Sequence, residues 1–171
     1  MSTLVDHQLR SLCRTIGLVE PFNPDLVNPA SIDVTLGSTI LREGRHAYTG
    51  EDRWVEVDIE NGVYSLEPGE FVLAHTAELI RVPNYLECVF NLKSSRGREG
   101  YDHLMAGYID PGFTGRVTLE LVNVNRYHHL PLEHGMRIGQ LRFSRLDAKP
   151  LRSYAVTGRY HGDQSVQESK G

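Results

Sequence analysis

The chain has 171 residues, of which 40% are hydrophobic and 23% charged, and its formal net charge at pH 7 is −4. This size and composition predict one globular domain over residues 1–171, and the weak acidic balance argues against a general binder of nucleic acid or membrane surfaces. No apolar run approaches the about 20 residues of a membrane span, and the first residues lack the apolar core of a signal peptide. We therefore expect a cytoplasmic protein with no nucleic-acid or membrane partner.

The predicted elements begin with a short amphipathic helix. Apolar residues recur at helical spacing between Leu4 and Ile16, which predicts a helix over residues 3–17 that Gly17 ends. Three prolines follow within residues 21–31, so we expect an extended loop there.

After this loop the pattern becomes that of short strands. Alternation of apolar and polar residues predicts strands at 32–36, 40–41, 54–59, 64–66, 71–74, 79–82, 86–90, 117–122 and 138–143. Asn61-Gly62 predicts a hairpin turn. Short strands with turn signals about every 8–12 residues indicate a β-sandwich or a closed barrel. Residues 155–171 end in a polar stretch with Gly and Ser, and we expect them to form a mobile C-terminal tail.

The segment KSSRGR, residues 93–98, carries the strongest anion-binding pattern. It combines three basic side chains with two hydroxyls and one glycine. Hydroxyl and backbone N–H groups can converge on one anion, and arginine binds phosphate oxygens with paired hydrogen bonds. The spacing of a Walker loop is absent. The segment therefore indicates either a phosphate-binding element or a solvated basic turn.

A second feature is the Asp-Pro-Gly turn at residues 110–112. Its proline fixes φ and its glycine accepts positive φ, so a tight turn is predicted, and a plain hairpin would satisfy the pattern equally well. Ala106 and Gly107 upstream have almost no side chain, which would let the backbone lie against a flat ligand. Phe113 downstream would then cover a sugar or base.

Glu120 interrupts the apolar strand VTLELV. Burying a carboxylate without partners is costly, and burial would raise the pKa of Glu120 and suit it to proton transfer. The alternation also permits the opposite arrangement, in which Leu119 and Leu121 face the core and Glu120 faces water. The zinc-deaminase signature, His-x-Glu with a later Pro-Cys-x-x-Cys, is absent, and we expect no metal ligand among the protein side chains.

Taken together, these segments resemble one family. The resemblance is carried by PASID (29–33), KSS (93–95), AGYIDPGF (106–113), TLEL (118–121) and GMRIGQL (135–141). In this order they strongly resemble the dCTP deaminases, the non-zinc branch of the dUTPase superfamily. The resemblance implies a mainly β fold, a distorted β-barrel or jelly roll of the dUTPase-like type with a short N-terminal helix. It also implies a homotrimer with active sites between subunits, and Mg²⁺ bound through the nucleotide triphosphate.

The resemblance also implies roles for individual residues. Glu120 is similar to the catalytic acid/base, Ser94 to the serine that orients the attacking water, and Arg98 to a phosphate- or site-orienting group. Ala106 would meet the pyrimidine edge through its backbone, and Asp110 would bind the 3′-hydroxyl of the deoxyribose. Including these two, the expected substrate-binding residues are Lys93, Ser95, Ala106, Gly107, Asp110, Phe113, Gln140, Tyr154, Arg159, Tyr160 and Gln164.

Some positions depart from the family pattern. Arg96 and Glu99 stand where apolar residues are usual, Lys93 stands where arginine is common, and Asp163 stands where glutamine is common. Arginine and lysine are not equivalent for paired phosphate binding. These departures would alter the nucleotide preference or mark a different paralogue.

Three functions therefore remain open. The first is deamination of dCTP to dUTP and ammonia, or a bifunctional version that continues to dUMP and diphosphate. Ala106-Gly107 and the short loop after Arg98 resemble the bifunctional members. The second is a plain dUTPase, against which the Gly-rich terminal motif of that enzyme is absent. The third is a catalytically silent trimer that binds nucleotide and regulates.

Overall fold

The computed structural model of the protein describes residues 2–45 and 52–171. Within them, short strands dominate and three α-helices connect or flank them. The α-helices are α1 Asp6–Ile16, α2 Ser94–Glu99 and α3 Tyr154–Thr157, and a 3₁₀ turn spans Pro24–Leu26. The strands are β1 Ser2–Thr3, β2 Val19–Glu20, β3 Val27–Asn28, β4 Ser31–Thr35, β5 Thr39–Arg45, β6 Asp52–Asp58, β7 Val63–Leu66, β8 Phe71–His75, β9 Leu79–Arg81, β10 Leu86–Leu92, β11 Tyr101–Asp102, β12 Tyr108–Ile109, β13 Thr114–Gly115, β14 Thr118–Asn123, β15 Leu130–Glu133 and β16 Arg137–Arg145.

Two larger sheets supply most of the core. One has the order β12-β10-β16-β4-β3, with β1 added to β16, and the other has the order β11-β14-β8-β5-β6. Smaller sheets join β13, β9 and β2, and β15 with β7. All the pairings are antiparallel. The inward side chains from both large sheets, such as Phe90, Phe143, Leu119 and Leu121, are buried in one apolar cluster.

Helix α1 confirms the predicted N-terminal helix with a later start. Ser2 and Thr3 pair with β16, and the Leu4 amide donates to the carbonyl oxygen of Phe143 at 2.9 Å, so these residues are extended. Gly17 ends the helix in the left-handed conformation, with φ 64°, which a glycine adopts without steric cost. Leu9 and Cys13 bury the apolar face of the helix.

The structure corrects two local predictions. Residues 21–31 are not one extended loop, because the 3₁₀ turn and strand β3 lie inside them. The hairpin predicted at Asn61-Gly62 is wrong, since β6 pairs with β5 and β7 pairs with β15. The sequence patterns also did not predict helix α2 or several two-residue strands, which are too short to show a hydrophobic period.

None of the helices in the described part of the chain is long and apolar enough to cross a membrane.

Candidate functional site

Strand β14 directs Glu120 away from the core. Its side chains alternate between partly exposed and buried positions, so Leu119 and Leu121 lie in the core at 2% and 0% exposure. Thr118 and Glu120 point to the opposite face, where they line a cavity of about 440 Å³. The carboxyl group therefore faces this cavity and not the core.

The cavity is walled by three parts of the chain. The sheet face provides Glu120 together with Phe71 and Leu73 from β8 and Trp54 from β6. The loops around β12 and β13 provide a second wall, and the last residues of the chain provide the third. The remaining lining residues are Ala106, Tyr108, Ile109, Asp110, Phe113, Arg116, Val117, Thr118, Tyr154, Tyr160, Asp163, Gln167, Glu168 and Ser169.

Burial changes the acidity of the Glu120 carboxyl. Loss of contact with water raises the pKa of Glu120 above its ordinary value, and a hydrogen bond to its own backbone offsets this only in part. A carboxyl with a raised pKa keeps its proton to a higher pH than an exposed one. Such a group can alternate between accepting and donating a proton.

The Asp-Pro-Gly turn forms and carries an aromatic pair to the cavity. The Phe113 amide donates to the Asp110 carbonyl oxygen at 3.1 Å, and Gly112 has φ 94°. Phe113 packs against Tyr154, with ring centroids 5.9 Å apart and planes inclined by 55°. The amide of Tyr154 donates to the Pro111 carbonyl oxygen at 3.1 Å, so this turn and helix α3 hold each other in place.

Gly107 serves packing between strands. A Cβ added there would lie 2.2 Å from the carbonyl oxygen of Phe90, and the Phe90 amide donates to the Gly107 carbonyl oxygen at 2.7 Å. The space that the sequence suggested for a flat ligand at Gly107 is therefore occupied by β10. Ala106, its exposed neighbour, does line the cavity.

The predicted phosphate-binding side chains lie elsewhere on the protomer. Ser94 and Ser95 open helix α2 and Arg98 lies in its last turn. All three are exposed, and none of them is among the residues that line the Glu120 cavity. Within one protomer, the side chains expected to bind phosphate therefore do not share a cavity with Glu120, the expected acid/base.

Lys93 and Gln140 both contact side chains of strand β4. The Lys93 ammonium lies 2.5 Å from Oδ2 of Asp33, whose other oxygen accepts from the Asn28 amide group at 2.7 Å. Asp33 is buried at 2% exposure. Gln140 accepts a hydrogen bond from the Ser31 hydroxyl at 2.8 Å. Both predicted substrate ligands thus have partners within the fold.

The departures at Arg96 and Glu99 are explained by helix α2. The two side chains form an ion pair of 2.6 Å one turn apart, and the Arg96 guanidinium also donates to the carbonyl oxygen of Arg137 at 3.0 Å. Its carbon lies 5.9 Å from the centre of the Tyr101 ring. These charged residues fasten the short helix to β11 and β16.

The expected C-terminal contacts divide into two groups. Tyr154 and Tyr160 line the cavity, whereas Arg159 and Gln164 are exposed and do not. Gln164 donates to the Gly162 carbonyl oxygen at 3.0 Å.

Sequence reasoning also missed cavity residues. No sequence pattern marked Trp54 or Arg116 as a cavity residue. Trp54 comes to Glu120 only through the strand order β14-β8-β5-β6. The outward alternation of β14 could have indicated Thr118.

A family model described as dCTP deaminase-like matches residues 3–146. The chain belongs to the dCTP deaminase family. This confirms the resemblance, the mainly β dUTPase-like fold and the enzyme class, a hydrolase of nucleotide metabolism.

Curated relatives in the dCTP deaminase family cover nearly the whole chain. The protein named "dCTP deaminase, dUMP-forming" from Thermobifida fusca is 40% identical over 98% of this chain and 91% of its own length. The protein of the same name from Salinispora tropica is 43% identical over 89% of this chain and 85% of its own. The solved 2′-deoxycytidine 5′-triphosphate deaminase from Agrobacterium tumefaciens superposes with a TM-score of 0.68 at 26% identity. That match covers 85% of this chain and 48% of that longer chain.

Proposed function

We propose that this protein is a dUMP-forming dCTP deaminase. It would convert dCTP and water to dUTP and ammonia, and then dUTP and water to dUMP and diphosphate. The observation that carries the proposal is the Glu120 carboxyl, which is partly buried in the wall of the cavity and has a raised pKa. The names of the relatives at about 40% identity favour dUMP as the product over dUTP alone.

Glu120 is the proposed proton carrier of the deamination. As a carboxylate it accepts a proton from the water whose oxygen bonds to C4 of cytosine, and it passes that proton to N3. It then takes the second proton of the water oxygen and delivers it to the amino group, which leaves as ammonia while the C4 carbonyl forms. Positioned acid–base help of this type accelerates a reaction about 10²–10⁴-fold.

The remaining cavity residues suit the base and the sugar. The backbone at Ala106 supplies polar groups for the pyrimidine edge, and the Asp110 carboxylate would accept a hydrogen bond from the 3′-hydroxyl. Phe113 and Tyr154 present apolar ring surface beside them. Tyr160 extends this wall toward the phosphates.

We further propose that the active protein is a homotrimer. Ser94, Ser95 and Arg98 are exposed and lie outside the Glu120 cavity of their own protomer, so they would serve the cavity of a neighbouring copy. Ser94 would hold the attacking water there, and Ser95 and Arg98 would bind phosphates. Lys93 would act indirectly, by fixing the start of α2 through Asp33.

Magnesium fits this arrangement as a partner of the substrate. Among the described residues, no group of three or more His, Cys, Asp or Glu side chains is placed to hold a metal ion. Mg²⁺ would be held by phosphate oxygens and water, because this hard cation prefers such ligands, and its charge would offset that of the triphosphate. The cytoplasmic location expected from the sequence remains a prediction for this protein.

A product assay tests the activity. The protein is incubated with dCTP or dUTP and Mg²⁺, the nucleotides are separated, and ammonia is measured. We expect dUMP, diphosphate and ammonia from dCTP. Accumulation of dUTP alone would indicate the single deamination, turnover of dUTP without dCTP would indicate a dUTPase, and no product from either would refute the proposal.

A mixing experiment tests the shared site. Glu120→Gln and Ser94→Ala proteins, each inactive alone, are unfolded together at equal amounts and refolded as mixed trimers. If each site takes Glu120 from one copy and Ser94 from another, about a quarter of the sites contain both native residues and activity returns. If both residues act within one copy, the mixture stays inactive.

A further inference from the structure

The residues after Tyr160 fold back onto the Glu120 cavity. We call residues 163–170 the return segment. The Arg116 amide donates to the Asp163 carbonyl oxygen at 2.8 Å, and the Gln167 amide donates to the Thr118 hydroxyl at 3.2 Å. Between these two contacts, Val166 is buried at 7% exposure. The return segment is therefore hydrogen-bonded to Arg116 and Thr118, which precede Glu120 along the chain.

Four residues of the return segment line the cavity together with Glu120. Asp163 begins the segment, and the other three, Gln167, Glu168 and Ser169, lie near its end. Only one of the three, Gln167, has a backbone contact with the sheet among the hydrogen bonds described. The position of Glu168 and Ser169 depends on how the chain is held beyond them.

Lys170 provides that hold. Its ammonium contacts both carboxylate oxygens of Asp163, at 2.9 and 3.0 Å, and donates to the carbonyl oxygen of Arg159 at 3.1 Å. It also lies 5.0 Å from the centre of the Tyr160 ring, while the Lys170 amide donates to the Tyr160 hydroxyl at 3.1 Å. The Asp163 side chain is only 14% exposed, so water screens this ion pair less than a surface pair.

We infer that Asp163 and Lys170 form a latch that positions residues 167–169 as a wall of the nucleotide cavity. The inference rests on the proposed function, because this is the cavity in which dCTP would react. The departure from glutamine at position 163 then has a role, since a carboxylate there can bind the Lys170 ammonium. The two residues are positioning residues, and the proton transfers remain with Glu120.

The latch should act on substrate binding more than on chemistry. Without it, residues 164–169 would have to become ordered each time dCTP binds, and that cost lowers the apparent affinity. Once the substrate is bound, Glu120 has the same environment. We therefore expect KM for dCTP to rise about 3- to 10-fold when the latch is removed, the size expected for one partly screened ion pair, with kcat within about two-fold.

The test compares Lys170→Met with Lys170→Arg, and Asp163→Lys with the charge-reversed pair Asp163→Lys/Lys170→Asp. Lys149→Met is the control, because it removes the same charge from an exposed position outside the cavity. Two quantities are measured for each protein: kcat and KM for dCTP, and amide hydrogen exchange over residues 164–170 without nucleotide. We expect faster exchange and a higher KM in Lys170→Met. We expect both quantities to recover in Lys170→Arg. Because Asp163 itself lines the cavity, the reversed pair is judged by exchange alone, and we expect slower exchange in it than in Asp163→Lys.

Three outcomes would overturn the latch. The first is a lower KM in Lys170→Met, which would mean that the segment obstructs the cavity. The second is unchanged KM and unchanged exchange in Lys170→Met. The third is exchange in the reversed pair that is as fast as in Asp163→Lys alone. The exchange measurement needs no catalysis. If the native protein turned over neither dCTP nor dUTP, the proposed function would fail, while the exchange data would still decide whether Lys170 holds the segment.

Discussion

The ion pair between Asp33 and Lys93 gives the sharpest test of how residues 93–98, the expected phosphate-binding segment, are anchored. Asp33 is almost fully buried, whereas the Lys93 side chain is 27% exposed. Lys93→Met would leave the carboxylate in the protein interior with the Asn28 amide as its remaining close donor, and with Arg137 at 3.9 Å. Asp33→Asn would leave an ammonium that can still reach water.

The two substitutions should therefore have unequal costs. Loss of one partner from a buried ion pair costs about 3–5 kcal/mol, and the exposure of Lys93 and the second cation at Arg137 reduce this. We expect Lys93→Met to lower the free energy of unfolding by about 2–4 kcal/mol, and Asp33→Asn by about 1–2 kcal/mol. The double variant should cost less than the sum of the two, with a coupling of about 1–3 kcal/mol.

Urea unfolding, followed by circular dichroism at one fixed protein concentration, measures all four proteins. Steady-state kinetics with dCTP on the same samples separates anchoring from direct phosphate binding. Unchanged stability in Lys93→Met, with additive single variants and a large rise in KM, would refute the anchoring role and return Lys93 to the phosphate ligands.

Two further predictions concern packing and the cavity. Gly107→Ala should lower the free energy of unfolding by about 1–3 kcal/mol, because its new Cβ meets the Phe90 carbonyl oxygen. Its control, Gly97→Ala in helix α2, meets nothing within 4 Å and should raise stability by about 0.5–1 kcal/mol; thermal unfolding of both checks the pair, and equal effects would contradict the packing account. Trp54 is the single tryptophan of the sequence and lines the cavity, so a nucleotide bound there should change its fluorescence; saturation with a non-hydrolysed dCTP analogue without any change would place the nucleotide elsewhere.

Local patterns predicted the elements that depend on their own residues. The alternation of β14 fixed which side chains share a face, and the apolar spacing of α1 with its terminal Gly17 fixed a helix. Helix α2 escaped because six residues with two serines and a glycine show neither a period nor a strong propensity. Arg96 also donates to the carbonyl oxygen of Arg137 in β16, a contact between residues far apart in the chain that no local pattern contains.

The site was predictable only in part for the same reason. Ala106, Asp110, Phe113 and Glu120 lie close in the sequence and follow family motifs, and all four line the cavity. Trp54 and the return segment reach it through strand pairing and tertiary contacts between residues far apart in the chain. The failed hairpin at Asn61-Gly62 has this cause too, since its flanking strands pair with more distant partners.

The central claim is that the Glu120 carboxyl moves the protons of deamination. The most direct measurement is single-turnover ammonia release by Glu120→Gln at saturating dCTP, with nucleotide binding followed through Trp54 fluorescence and stability followed from pH 4 to pH 8. Because burial raises the pKa of Glu120 in the folded state, its charge opposes folding above that pKa, so the variant should gain stability over the native protein as pH rises and lose this advantage at low pH. The account predicts a loss of at least about 10²-fold in the deamination rate with nucleotide binding retained. Ammonia release at the native rate from this variant would contradict it.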